Sequence, residues 1–413
     1  MAGKITNIDQ ARNMVFSTAS KGSCLGLERI RYLLARLDNP QNKLKIVHIA
    51  GTNGKGSTAA MLSYVFVEAG FKAGLFTSPY IDCFTEMIQI NHTPLEDNHL
   101  IALANEMQIH LSAMEDRPTE FEIITALAFL HFYRQGCDIV VLEAGLGGRL
   151  DSTNVISSPE IAIITNIGMD HMEFLGSNIE EIASDEVGII KPGTICVCHP
   201  QKDSVKEVIR QKCLEQEVKA IFINETDDDI LEKYTIPLLG RHQLLNAQVA
   251  INAVRALRNK GWNISEESLR QGLAKTKWPG RFEILRHNPI FILDGAHNVQ
   301  SVKMTANTLN SLFPDKKTTF LIGMLADKEY RHIIDILMPL AKEFLTVMPD
   351  STRALPPEIL AEYINDNGGK GRVCKSIEEG VKEALTASSS DDIICAVGSL
   401  YLIGKVRKAL LHN

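Results

Sequence analysis

The segment Gly51-Thr52-Asn53-Gly54-Lys55-Gly56-Ser57 follows an apolar run, LKIVHIA at 44–50, and opens an apolar helical pattern, STAAMLSYVFVEAG at 57–70. A strand, a glycine loop, a lysine and a helix start in that order make a phosphate cradle. The glycines let the backbone curl so that several N–H groups face one point. The helix N-terminus adds positive partial charge, and Lys55 adds a full one. A plain glycine-rich turn is the alternative, but it does not account for the lysine and the helix arriving together. The motif departs from the common phosphate-loop pattern, because Lys55 is followed by Gly56 rather than directly by Ser.

Outward from this loop, short runs rich in Val and Ile alternate with helical stretches. Candidate strands are Leu44–Ala50, Lys72–Phe76, Asp138–Ala144, Ile161–Ile167, Gly193–Cys198 and Lys219–Asn224, with helical patterns such as Ser57–Ala69 and Phe121–Tyr133 between them. This alternation predicts an α/β fold with a mostly parallel sheet covered on both faces. A Pro-Gly pair within KTKWPGR at 275–281 breaks the pattern. The alternation restarts at Ile290–Leu293, Thr319–Gly323, Phe344–Met348 and Ile393–Val397. We therefore expect an N-terminal domain over residues 1–283 and a smaller C-terminal, Rossmann-like α/β domain over 284–413. A chain of 413 residues is too long for one ordinary core.

The net charge is −7, with no block of like charges, so nothing is built to hold a polyanion by bulk electrostatics. No run of about 18 apolar residues is present, and the first residues lack the basic, apolar and small-residue pattern of a signal peptide. Of eight cysteines only Cys196 and Cys198 are close in sequence, and their spacing fits one face of a buried strand. The expectation is a cytoplasmic protein that works as a monomer on small molecules, with no nucleic acid and no membrane partner.

The loop variant, in its context AGTNGKGST, resembles the Mur ligase superfamily, and within it the folylpolyglutamate synthase and dihydrofolate synthase branch. Further motifs follow in that family's order: Thr77-Ser78-Pro79, Phe121-Glu122, EAGLGGRLD at 143–151, Asp170-His171, GRHQ at 240–243 with Asn246-Ala247, WPGR at 278–281, DGAHN at 294–298 and GSLY at 398–401. They span nearly the whole chain. Gly145-Leu146-Gly147-Gly148 does not match the dinucleotide fingerprint G-x-G-x-x-G, which argues against a dehydrogenase.

The resemblance implies a set of roles. Asn53, Gly54, Lys55, Gly56 and Ser57 would bind ATP, together with Asn246, Arg281 and Asp294. Ser78, Glu143 and His171 would hold Mg²⁺, of which two ions are implied. For Glu143 there is an independent argument: a carboxylate at the C-terminal end of an apolar strand faces the crevice where α/β ligands bind. Phe121, Glu122, Leu150, Asp151 and Ser152 would meet the pterin substrate. His297 and Ser399 would place the incoming glutamate, with His297 a candidate base, and Lys55 and His297 are the catalytic candidates. Arg281, at the expected domain junction, could sense ATP and domain closure together.

One position departs from the family. Where the family carries a lysine whose carbamate helps to hold a second Mg²⁺, this chain has Glu186, within IASDEVGI at 182–189. Glutamate supplies the same anionic group on a stem shorter by about 4 Å. The expectation is that Glu186 serves the second ion through water or a small backbone shift. Glu86-Met87, where relatives often have Glu-Arg, is a second departure.

The implied activity is ligation of L-glutamate to the carboxylate of dihydropteroate, of folates, or of both, driven by ATP through an acyl phosphate. Two rivals remain at this point. One is a Mur-type amide ligase for another carboxylate acceptor. The other is an ATP-binding paralogue that lost ligation through the change at Glu186.

Overall fold

The computed structural model describes residues 3–22, 24–224 and 232–411. The chain divides into two compact units. The first comprises Met1–Pro79, Phe84–Ile236 and Leu245–Thr276, and the second Tyr80–Cys83, Pro237–Leu244 and Lys277–Asn413.

In the first unit the strands are β1 (Ile46–Ala50), β2 (Ala73–Phe76), β3 (Ile88–Ile90), β4 (Thr93–Pro94), β5 (Ile139–Glu143), β6 (Ile161–Ile164), β7 (Ile195–Cys198) and β8 (Lys219–Phe222). They form one sheet in the order β4-β3-β2-β5-β1-β6-β7-β8. From β2 to β8 every pairing is parallel, and β3 and β4 add an antiparallel edge. The central strands β1, β5 and β6 are buried at every residue, as expected of strands covered on both faces. Each expected strand is present but shorter by one to three residues, because runs such as Ile161–Ile167 carry on as the turns that form the site. The short antiparallel strands β3 and β4 escaped the sequence reading. Their two or three residues are too few to show an alternating pattern.

The helix Lys55–Glu68 is apolar almost all round, and ten of its residues are buried. Such a helix needs cover on its outer side as well. The helix Glu266–Lys275 provides it, approaching so closely that a Cβ at Gly272 would lie 2.4 Å from Val65 Cα. A second core fills the other end of the sheet, where Ile182, Val187 and Ile190 meet Ala162, Ile164, Cys196 and Cys198.

The second unit holds β9 (Glu283–His287), β10 (Ile290–Leu293), β11 (Thr318–Ile322), β12 (Ala341–Thr346), β13 (Gly371–Val373) and β14 (Ile393–Val397). The order is β13-β12-β11-β14-β10-β9, parallel except for the edge strand β9. One core lies on each face, built around Phe320 and Phe344 on one side and Phe291 and Leu345 on the other. The fold class read from the sequence, an α/β unit with a mostly parallel sheet and a smaller Rossmann-like α/β unit, is the fold observed.

Gly272 gives a test of the packing that carries the loop helix. By helix propensity alone, Gly272→Ala should stabilise by about 1 kcal/mol. The backbone contact with Val65 reverses the sign, and overpacking of this kind costs about 2 kcal/mol net. Denaturant unfolding should show a lower midpoint for Gly272→Ala, and an unchanged or raised midpoint would refute the close approach.

Candidate active site

The phosphate loop is shaped by what its glycines exclude. Gly51 and Gly54 have φ of +127° and +92°. A Cβ at Gly51 would sit 2.3 Å from Thr165 Oγ1, and one at Gly54 would sit 2.5 Å from Asn246 Oδ1. Neither position tolerates a side chain on conformational or steric grounds. The loop is then pinned from several sides. The N–H groups of Thr52 and Asn53 donate to the Asn166 carbonyl at 2.9 and 3.1 Å. The Thr52 hydroxyl donates to Gly168 O at 3.1 Å and accepts from Gly168 N–H at 3.0 Å. Gly51 N–H donates to Glu186 Oε2 at 2.9 Å. The Lys55 ammonium folds onto the loop, donating to the carbonyls of Gly51 and Thr52.

Glu143 closes β5 beside β1, where it is paired in register with Ile49, and it is 4% exposed. Ser78, in the turn after the neighbouring β2, donates its N–H to Glu143 Oε2 at 3.2 Å. The structure thus brings Ser78 and Glu143 together. His171 stands in the left-handed region (φ +50°) at the start of the short helix Met172–Leu175, with its side chain 40% exposed and Nε2 4.0 Å from Asp170. Glu186 is buried under the phosphate loop. Burial pushes its carboxyl up to about 7, against the pull of the Lys55 charge and the Gly51 N–H, with Asp185 and Asp151 pushing it further up.

Among the described residues, no group of three or more His, Cys, Asp or Glu is arranged as a metal cluster. Mg²⁺ needs no such cluster, since it usually takes one or two carboxylates with waters and substrate phosphate oxygens. A buried strand-end carboxylate beside a serine, one strand from a phosphate loop, fits that habit.

Asp151 clasps the loop that follows β5. Its Oδ2 accepts from the N–H groups of Gly145 and Leu146 at 3.0 and 2.9 Å, and its Oδ1 accepts from the N–H and hydroxyl of Thr153. Phe121 packs over this loop so tightly that a Cβ at Gly145 would meet its ring at 2.5 Å. Leu150 is half-buried and Ser152 is buried. Glu122 is held through one of its two oxygens. Its Oε2 caps its own helix by accepting Thr119 N–H at 2.6 Å, and it also accepts Arg29 Nε at 3.0 Å. Beneath the loop lies His48 of β1, with Nε2 2.8 Å from Thr153 Oγ1. Because that hydroxyl gives its proton to Asp151, the imidazole must donate through Nε2.

In the second unit, Arg281, Asp294, His297 and Ser399 gather at the C-terminal ends of the strands. Asp294 is 7% exposed and accepts from Thr305 Oγ1 at 2.7 Å and Ala296 N–H at 3.1 Å. Burial raises its carboxyl, and the Arg281 charge opposes that rise. A Cβ at Gly295 would meet Arg281 Nη1 at 2.6 Å, so the guanidinium lies on this turn. His297 Nδ1 is 2.8 Å from Gly295 O, which fixes the proton on Nδ1 and leaves Nε2 as the accepting nitrogen of the neutral ring. The turn carrying Ser399 is tied to the His297 turn by Gly398 N–H donating to Ala296 O at 2.9 Å.

Sequence reasoning missed Asn166, Thr165 and Asp185, which shape the loops by backbone contacts and leave no residue-type signal. The asparagine in ITNIGM, at a strand end, was the only available hint.

The chain is similar in sequence and fold to known proteins. The chain matches the Mur ligase middle domain over residues 49–229 and the Mur ligase glutamate ligase domain over 280–400. It is 36% identical to a Bacillus subtilis dihydrofolate synthase/folylpolyglutamate synthase, covering 98% of this chain and 99% of that protein. The chain belongs to the dihydrofolate synthase/folylpolyglutamate synthase family. The structure of Escherichia coli FolC in complex with DHPP and ADP superposes on it with a TM-score of 0.89 at 26% identity, covering 100% of this chain and 99% of that one. A Yersinia pestis bifunctional folylpolyglutamate synthase/dihydrofolate synthase complexed with AMPPNP and Mn ion gives 0.86 at 26% identity, with full coverage of both chains. The family resemblance read from the motifs is therefore upheld along the whole chain.

His48 supplies a pH test of the loop that follows β5. Burial, with Lys191 nearby, holds its imidazole down to about 3. Between about pH 6.5 and 3 the unfolded chain binds a proton that the folded chain does not, so this contribution is full above pH 6.5 and is lost on acidification. His48→Gln keeps a donor for Thr153 but does not titrate. Its melting temperature should fall less than that of the parent between pH 7.5 and 5, and parallel pH profiles would refute a neutral buried His48.

Proposed function

We propose that this chain is an ATP-dependent ligase that joins the amino group of L-glutamate to the carboxylate of dihydropteroate, of folates, or of both. The full-length match to a dihydrofolate synthase/folylpolyglutamate synthase at 36% identity carries this reading. The glycine loop and its lysine agree with it.

A carboxylate is a poor electrophile, and phosphorylation by ATP turns it into an acyl phosphate that an amine can attack. The loop from Asn53 to Ser57 receives the phosphates through its N–H groups, and the Lys55 ammonium exchanges its contacts with the loop carbonyls for the phosphoryl oxygens. Asn246, Arg281 and Asp294 complete nucleotide binding. Ser78, Glu143 and His171, with Glu186 at a second position, would hold magnesium, which would supply positive charge to offset that of the phosphates. Phe121 and the loop through Leu150, Asp151 and Ser152 hold the pterin acid, Phe121 supplying the flat apolar contact and Asp151 the shape of the loop. Glu122, its Oε2 held by Thr119 and Arg29, lines the same site. The glutamate amine must lose a proton before it attacks, and His297, its Nδ1 turned to the Gly295 carbonyl, is the base in this reading. Ser399 positions the glutamate beside it.

We infer a monomer acting on small molecules in the cytoplasm. The eight free cysteines support a reducing compartment. No described helix is long and apolar enough to cross a membrane.

Phosphate release from ATP and Mg²⁺ should require both L-glutamate and a pterin acid. Comparing dihydropteroate, tetrahydrofolate and no acceptor assigns the step, and release that ignores the pterins would reject the reading in favour of another acceptor or a degenerate paralogue. Lys55→Met should lower kcat at least about a hundredfold, as removal of an oxyanion-stabilising donor does. For Glu186→Ala, a raised Mg²⁺ requirement is expected; unchanged Mg²⁺ affinity and turnover would sink its role at the second position.

A further inference from the structure

Asp185 and Glu186 are consecutive residues at the end of the helix Ile179–Glu186, and their carboxylates go to different loops. Glu186 Oε2 accepts Gly51 N–H of the phosphate loop at 2.9 Å. Asp185 takes hold of the loop after β5. Its Oδ1 accepts Gly148 N–H at 3.0 Å, its Oδ2 accepts Arg149 Nε at 3.3 Å, and its carbonyl accepts Arg149 N–H at 2.8 Å. Both residues are buried, at 8% and 2% exposure.

The fit leaves no slack. A Cβ at Gly147 would lie 2.2 Å from Asp185 Oδ1, one at Gly148 would lie 2.3 Å from Glu186 O, and one at Gly188 would lie 2.4 Å from Arg149 Cα. Two loops are thus fastened to adjacent residues of one helix end, through closely packed backbone contacts. A shift of either loop must move the shared peptide unit and so bias the other loop.

We propose that Asp185 is a positioning residue: it sets the conformation of the Gly145–Asp151 loop and, through Glu186, couples that loop to the phosphate loop, so that nucleotide and acceptor change each other's affinity. The inference rests on the ligase reading above for the identity of the two ligands. It assigns no ligand contact to Asp185 itself. By reciprocity the coupling factor is the same whichever ligand is bound first.

The test is equilibrium binding of a non-hydrolysable ATP analogue with Mg²⁺, without glutamate, in the presence and absence of saturating dihydropteroate or tetrahydrofolate. The parent chain should show a change of about fivefold or more in nucleotide Kd, the lower end of ordinary coupling. Asp185→Ala should bring that factor close to one while each ligand alone still binds. Asp185→Asn keeps the size and one acceptor oxygen, and guards against a folding failure of the alanine variant; it should lose part of the coupling. Ser184→Ala, exposed on the same helix, should keep all of it. Undiminished coupling in folded Asp185→Ala or Asp185→Asn overturns the proposal, as does a parent chain that binds both ligands with no coupling. A parent chain that binds nucleotide but neither pterin acid rejects the ligase reading instead, and the coupling with it.

Discussion

At Gly51 and Gly54 the backbone passes through positive φ with no room for a β-carbon, and the remaining features of the first unit are arranged around that constraint. The parallel sheet delivers β1 to the loop and holds β5 and β6 on either side of it. Their C-terminal ends supply Glu143 and the Asn166 carbonyl, so the strand order itself sets a carboxylate and a backbone acceptor on opposite flanks of the phosphate cradle. The helix that starts at Lys55 is buried nearly all round, which fixes the direction of its N-terminal N–H groups. Shape and charge are thus built in before any ligand arrives, as electrostatic stabilisation of a phosphoryl transfer requires.

Much of this was legible in the sequence because the signals were local. The run LKIVHIA, the glycines and the apolar helix sit next to one another, and each pattern has its own period. The strands Ile290–Leu293 and Ile393–Val397 coincide with β10 and β14 because sharp polar turns bound them. What was hidden depends on contacts distant in sequence. Thr165 and Asn246 fill the space that Gly51 and Gly54 leave, and nothing in their residue type says so. Glu122 reads equally well as a ligand-facing acid or as the third residue of a capping box, and only its contacts with Thr119 and Arg29 show that its Oε2 serves the helix cap and an ion pair. The short edge strands β4 and β13 pair through backbone groups that any sequence carries.

Glu186 joins the two themes. Its carboxylate replaces the lysine expected at that position, and it reaches the phosphate loop directly, with one oxygen on the Gly51 amide. The neighbouring Asp185 fixes the loop that Asp151 clasps from within. Two acids, placed by one helix end, tie the phosphate loop and the loop after β5 to the same buried stretch of chain. In the second unit, the turns after β10 and β14 carry His297 and Ser399 and are joined by Gly398 N–H on the Ala296 carbonyl, with the imidazole tautomer fixed by the Gly295 carbonyl.

The central claim is that the acceptor carboxylate, and not water, attacks ATP. The most direct measurement uses a pterin acid labelled with ¹⁸O in its reacting carboxylate, with ATP, Mg²⁺ and L-glutamate, followed by mass analysis of the released phosphate. One ¹⁸O should appear in each phosphate, because the oxygen that bonds to phosphorus leaves the acyl carbon when the amine attacks. Phosphate free of label would mean that water cleaves ATP, and would contradict the ligase account.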